Sequence, residues 1–290
     1  MKYLAFRVAT TLLPHVPEGL GYRIFGWLGD LLGVLSPQMS ARVSGNLARA
    51  LEEPIAGGRL VTLTRACLRN LCWNYYELFH GPAWDVETLA SRVAVDGAEH
   101  LEAAHRERRG VILLFAHVGA LEALTQLPPL YPQYHFVTLV EHMTDPRMHE
   151  LMRRVRARHG LEIVPVDASL RAVRLLRHNS VLAVGADRDM TASGVLVPFF
   201  GSSARLPVGA VQLALRYQVP VLFTYACRES PRESPSVFRV RIHAPFRFER
   251  TGDLGEDTRA GVALVARALE SAVRARPEQW LANYRFWPIA

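Results

Sequence analysis

The 290-residue chain has almost no lysine: Lys2 is the only one, so nearly all of its 34 basic side chains are arginine. The formal net charge is +7. No basic block stands out beyond Arg153, Arg154, Arg156 and Arg158, and helical spacing spreads those four around a surface. That excludes a concentrated nucleic-acid footprint and leaves anionic headgroups or phosphorylated ligands as partners for basic surface. Cysteine is also scarce. Cys67, Cys72 and Cys227 form no Cys-x-x-Cys and no disulfide framework, which fits a reducing compartment. No stretch approaches the ~18 apolar residues that a bilayer span requires. The first 36 residues are broken by Arg7, Pro14, Pro17, Glu18, Arg23 and Asp30 and carry no small-residue cleavage site, so neither a spanning anchor nor a signal peptide is expected. Gly-x-Ser-x-Gly is absent, which removes the serine nucleophile elbow. No set of His, Cys and Asp shows metal-ligand spacing, so no metal is expected.

What is present is ordinary globular material tilted towards apolar. Half of the residues are hydrophobic and 21% are charged, enough for one sizeable core or a core with a small appended part. The mean hydropathy of +0.07 fits a packed enzyme and a lipid-touching protein equally. The first 90 residues read as helices, a membrane-associating part in the interfacial reading below. From Leu20, the residues Leu20, Ile24, Trp27, Leu28, Leu31 and Leu35 share one helical face, with Gly26, Gly29 and Gly33 opposite. That helix either packs its apolar face on a core, the glycines admitting a neighbour, or lies in the headgroup layer with Phe25 and Trp27 inserted. "SARVSGNLARAL" and "RLVTLTRACLRNLCWNYYELF" read as two further helices. The aromatics Trp73, Tyr75, Tyr76 and Phe79 suit a core or the wall of an acyl-chain pocket.

Residues 91–290 change rhythm. Strand-like runs ("RVAVDG", "GVILLFAH", "YHFVTLV", "LEIVPV", "SVLAVGAD", "VPVLFTYACR", "SVFRVRIHAPFRF") alternate with helical ones, and "RDMTASGVLVPFFGSSARLP" reads as irregular. The expected fold is α/β: a mainly parallel sheet covered by helices on both faces, preceded by the helical part. Ligands then bind beyond the carboxyl ends of the strands, where both His117 and Asp187 fall.

"GVILLFAHVGALEALTQL" places His117 at such an end and Glu122 in the first turn of the next helix, where the helix dipole favours a carboxylate. A carboxylate on Nδ1–H would leave Nε2 as an acceptor, a general base for an attacking hydroxyl. Read alone, the pair fits such a base, a structural histidine bonded to backbone, or less well a metal ligand. The surrounding motifs narrow this. "HVGALE", the block "VLAVGADRDMTASGVLVPFFGSSARLP" with Gly194, Pro198, Phe199, Phe200, Gly201 and Pro207, Pro220 beyond it, Arg156 with Gly160, and "SGNLARAL" together resemble one family across nearly the whole chain. It is the family of bacterial lipid A secondary (lauroyl/myristoyl) acyltransferases and phosphatidylinositol mannoside acyltransferases, within the lysophospholipid acyltransferase superfamily.

The resemblance implies a glycerolipid acyltransferase-like fold. It implies transfer of a fatty acyl group from a thioester, acyl-CoA or acyl carrier protein, to a hydroxyl of a membrane lipid or glycolipid. It makes His117 the base and Glu122 its partner, with Arg156 in a charged role. Arg188 and Arg205 are candidates for phosphate; Asp187 and Asp189 for sugar hydroxyls or for orienting Arg156. No bound cofactor is implied. The place of work would be the cytoplasmic face of the inner (plasma) membrane, peripherally and without nucleic acid. "ADRD" leans towards the mannoside branch, while Glu122 stands where that branch usually has Asp. A lysophospholipid acyltransferase, a thioesterase using the same base on water, and a non-catalytic lipid binder are the other readings.

Overall fold

The computed structural model describes residues 2–55, 57–140, 145–166, 168–189, 192–230 and 234–287. Helices α1 (Lys2–Leu12), α2 (Glu18–Leu35), α3 (Pro37–Leu51), α4 (Gly58–His80) and α5 (Val86–Arg92) precede the first strand. Of these, α1 and α5 go beyond the three helices named from sequence, and α5 has a plain local cause. It is started by Asp85, whose carboxylate accepts from the Thr88 N–H at 2.8 Å.

Strands β1 (Val93–Asp96), β2 (Val111–Gly119), β3 (Phe136–Val140), β4 (Glu162–Pro165), β5 (Val181–Gly185), β8 (Val221–Ser230) and β9 (Ser234–Ile242) form one sheet in the order β1-β9-β8-β2-β5-β3-β4; β6 (Val195–Phe199) and β7 (Ser202–Leu206) pair separately. The five strands from β8 to β4 are mutually parallel. Strand β9 runs antiparallel to β8, and β1 follows β9. The expected α/β class with a mostly parallel sheet is what the chain forms.

The period-2 alternation of β2 explains how two apolar layers are built. Ile112, Leu114 and Ala116 enter one core with Leu182, Phe223 and helical residues such as Leu68, Val211 and Val265. Val111 and Leu113 enter a second core with Val181, Leu222, Leu89 and Leu101. The intervening helices are α6 (Ala98–Arg106), α7 (Leu121–Thr125), α8 (Pro146–Ala157), α9 (Ser169–Arg177), α10 (Gly209–Tyr217) and α11 (Leu254–Ala275). Helix α7 is shorter than its sequence pattern: Gln126 and Leu127 keep right-handed backbone, but the chain tightens there into a 3-10 turn over Pro128–Leu130.

Two segments differ from expectation. The "irregular" stretch contains the β6–β7 hairpin, in which Phe199 pairs with Ser202 across a two-residue turn. Phe200 (φ 49°) and Gly201 (φ 70°) both take left-handed backbone, as such a turn demands. Strand β9 ends at Ile242, short of the Pro245 that its sequence run included.

The apolar face of α2 is turned outward. Trp27 is 76% exposed and Val34 75%, with Leu20, Ile24, Leu28, Leu31 and Leu35 also exposed. The glycine face packs inward on α4. A Cβ on Gly29 would lie 2.5 Å from the Arg69 Cα, and one on Gly21 2.3 Å from the Tyr76 ring. Any side chain there would push the helices apart. The glycines thus do admit a neighbour, but that neighbour sits on their own side and the large apolar residues are left uncovered. Phe25 does not join Trp27; it packs on Tyr76, ring centroids 5.3 Å apart.

Candidate active site

Strands β2 and β5 lie side by side and parallel, with Phe115 opposite Gly185. Both therefore deliver their next residues to the same edge, and those include His117 and Asp187. His117 Nδ1 lies 2.5 Å from Asp187 Oδ1, and the His117 backbone N–H donates to Oδ2 at 3.3 Å. A carboxylate can only accept, so Nδ1 carries the proton and Nε2 is left with its lone pair. The His117 side chain is 13% exposed and lines a cavity of about 860 Å³; Asp187 is buried behind it. Burial by itself would raise the Asp187 carboxyl, but the charge and hydrogen bonds of His117, with Arg188 nearby, outweigh it and hold the group below its ordinary value.

The carboxylate on the histidine is thus Asp187, where the sequence reading expected Glu122. Glu122 begins α7 as expected, but its Oε1 accepts from Arg156 Nη2 at 2.8 Å. Both residues line the cavity and both are largely buried. The Glu122 charge favours the guanidinium of Arg156 and raises it further, against the cost of burial. Asp187 does not orient Arg156.

Arg156 sits near the C-terminal end of α8, which simple alternation would carry to the far edge of the sheet. Helix α8 instead packs on the N-terminal helices. Met148, Met152 and Val155 meet Phe6 of α1 and Leu78 and Phe79 of α4. That leaning brings Arg156 to Glu122 at the wall of the cavity.

The remaining candidates divide. Arg188 lines the cavity and donates to the Leu281 carbonyl at 3.2 Å and to Asn283 Oδ1 at 3.0 Å. Asp189 accepts from the Gly194 N–H at 2.8 Å, and the Arg205 guanidinium donates to the Gly194 carbonyl at 2.5 Å. These two hold Gly194 at the entry to β6, and Arg205 is not among the described residues around the cavity. The α4 aromatics Trp73, Tyr75, Tyr76 and Phe79 are likewise absent from its described lining. Among the described residues, no group of three or more His, Cys, Asp or Glu could hold a metal ion.

Sequence reasoning missed the support beneath "HVGALE". Gly119 is held at φ +76°, and a Cβ there would lie 1.9 Å from the Ala226 carbonyl oxygen. Only glycine fits that approach. Its carbonyl accepts from two buried asparagines of α4, Asn70 at 3.0 Å and Asn74 at 2.9 Å. Asn74 also accepts from the Glu122 N–H at 3.3 Å, and the Leu281 N–H donates to the His117 carbonyl at 2.9 Å. The available signal was a pair of asparagines four apart on the inward side of an apolar helix, where each needs a buried partner.

The site therefore combines a carboxylate-held imidazole, a buried glutamate–arginine pair and a mostly apolar cavity at the carboxyl edge of a parallel sheet. Residues 3–287 match the family described as bacterial lipid A biosynthesis acyltransferase. The chain belongs to that family and is an acyltransferase. Among curated relatives, the phosphatidylinositol mannoside acyltransferase of Mycolicibacterium smegmatis is 28% identical over 224 residues, 73% of this chain and 70% of that protein. Proteins of the same description from Mycobacterium tuberculosis, strains CDC 1551 and H37Rv, are each 29% identical over 187 residues, 62% of this chain and 58% of theirs.

Proposed function

We propose that this acyltransferase moves a fatty acyl group from an acyl thioester, on coenzyme A or an acyl carrier protein, to a hydroxyl of a membrane glycolipid of the phosphatidylinositol mannoside kind. The observation that carries the chemistry is the His117–Asp187 contact at the wall of an apolar cavity. In this reading Nε2 of His117 takes the proton of the acceptor hydroxyl as its oxygen attacks the thioester carbonyl. The tetrahedral intermediate collapses, the C–S bond breaks, and the imidazolium returns the proton to the leaving thiolate. Ester and free thiol carrier are the products. Asp187 holds the imidazole in register and balances its transient charge. Glu122 and Arg156 brace the cavity wall beside it. The acyl chain lies in the apolar cavity on the His117 side of the sheet.

The test is release of free thiol from a long-chain acyl thioester, measured with and without a panel of hydroxyl-bearing lipids. Thiol release that depends on a glycolipid acceptor and matches ester formation is expected. Equal release without any acceptor would make the protein a thioesterase instead.

The uncovered face of α2 supports work at a membrane surface. No helix among the described residues is long and apolar enough to cross a bilayer. Exposed Trp27, Leu31 and Val34 suit the headgroup–acyl boundary, with the basic balance of the chain adding attraction to anionic lipid. With an acyl thioester as donor, this reading puts the work on the cytoplasmic side of the membrane. Flotation with anionic vesicles should recover the wild-type chain, and the double variant Trp27→Glu, Leu31→Glu should bind at least about tenfold more weakly. Salt should weaken binding only partly, through the screened arginines. Unchanged flotation of a folded double variant would mean that another surface meets the membrane.

A further inference from the structure

The cavity is larger than one acyl chain needs. At roughly 30 Å³ per water-sized group, a chain of about 16 carbons fills about 480 Å³, against about 860 Å³ here. Its lining also falls on both faces of the sheet. Leu113, Phe115 and Ala183 share the face of His117, while Leu114 and Val184, with Leu213 of α10 and Val265 of α11, line the opposite face.

The sheet itself shows where the two parts join. Strands β3 and β5 pair only as far as Thr138 and Ala183. Beyond that point β3 continues with β4 to Pro165, and β5 with β2 to Gly185. The ends beyond this last shared pair all line the cavity. We infer that the parts of the cavity on the two faces join there, at the edge that carries His117.

Resting on the acyl-transfer reading, we propose that the lobe under Val184 and Leu213 receives a hydrocarbon chain of the acceptor lipid while the donor chain occupies the lobe beside His117. The order of groups fits a phosphate-bearing glycolipid. Arg188 also lines the cavity, and its Nε has no hydrogen-bond partner among the described residues. It follows directly on Asp187, which holds His117. Chain in the far lobe, phosphate at Arg188 and hydroxyl at His117 then lie in sequence along one path. The acceptor is drawn part-way out of the membrane rather than met at its surface.

Ala183 and Val184 give the test, since neighbours on one strand face opposite lobes. Both are only partly buried and both line the cavity, which gives a larger side chain space to enter. The delipidated full chain, titrated with ¹³C-palmitate and examined by native mass spectrometry, should bind two equivalents. Ala183→Phe and Val184→Phe should each bind one. Val184→Phe should keep its rate with a long-chain donor and a tail-less water-soluble glycoside, yet raise KM for the full glycolipid at least about tenfold. Leu213→Phe serves the same purpose should Val184→Phe fold poorly. A single equivalent in wild type, or two in Val184→Phe, overturns the second lobe. Loss of one equivalent with an unchanged KM for glycolipid makes the lobe a fatty-acid site and overturns the acceptor assignment. If no acceptor is acylated at all, the acyl-transfer reading fails, while the palmitate count still decides whether the lobe exists.

Discussion

Asp187→Asn should lower turnover by about three to four orders of magnitude while leaving the fold intact, close to the loss expected of His117→Ala, which should itself cost at least about 100-fold. The reason is the tautomer. A carboxylate accepts the Nδ1–H and leaves Nε2 free to take a proton; an amide presenting its NH₂ forces the proton onto Nε2 and disables the base. The Asp187 carboxyl lies below its ordinary value in the folded chain. Its stabilising contribution is therefore complete above the unfolded carboxylate range near pH ~4 and is lost only as pH falls through the lower folded value. The ionised form consequently holds His117 across the neutral range. Glu122→Gln should cost much less, because its carboxylate meets Arg156 and not the imidazole. Steady-state kinetics on all three variants, with circular dichroism as a folding check, decide the matter. Should Glu122→Gln prove as damaging as His117→Ala while Asp187→Asn stays active, the orienting role belongs to Glu122 after all.

The contrast between those two carboxylates marks where sequence reading reached its limit. Strand periodicity and the strand-end rule placed both His117 and Asp187 at the carboxyl edge of the sheet without any structure. What periodicity could not supply was strand order. The neighbours of β2 are β8 and β5, and β5 is the third strand after it along the chain, with β3 and β4 lying outside β5. A partner 70 residues away is then closer than one five residues away. Between His117 and Glu122 the chain turns at Gly119 in left-handed backbone, fixed by Asn70 and Asn74.

Helix α2 teaches a related lesson. Its amphipathic pattern was plain, but a helical wheel gives two faces and not their partners. The large apolar side was the natural candidate for the core. The small side won because four glycines let α2 approach α4 closely, as Gly29 against the Arg69 backbone shows. The leaning of α8, which brought Arg156 to the site against simple alternation, was equally invisible. It depends on Phe6 and Phe79 offering α8 an apolar seat.

Glu77→Ala should destabilise the folded chain by about 3–5 kcal/mol, the largest single stability effect expected outside the apolar cores. Glu77 and Arg228 are both fully buried, with Nη1 and Oε1 2.9 Å apart. A second guanidinium nitrogen donates to Oε2 at 3.0 Å, and Tyr22 of α2 donates to Oε1 at 2.8 Å. Burial raises the Glu77 carboxyl, with Arg228 and the Tyr22 hydrogen bond pulling the other way. The cluster therefore carries a large desolvation cost, and its members are bearable only together. Removing the carboxylate strands the Arg228 charge between the rings of Trp73 and Phe238, and it leaves the Tyr22 hydroxyl without its acceptor. The double replacement Glu77→Leu, Arg228→Met removes the charge pair with similar volume and should recover most of that loss. Urea denaturation of the wild type, each single variant and the double variant measures the coupling directly. A double variant as unstable as Glu77→Ala would mean that the ion pair itself, rather than the stranded charge, holds α2, α4 and β8 together.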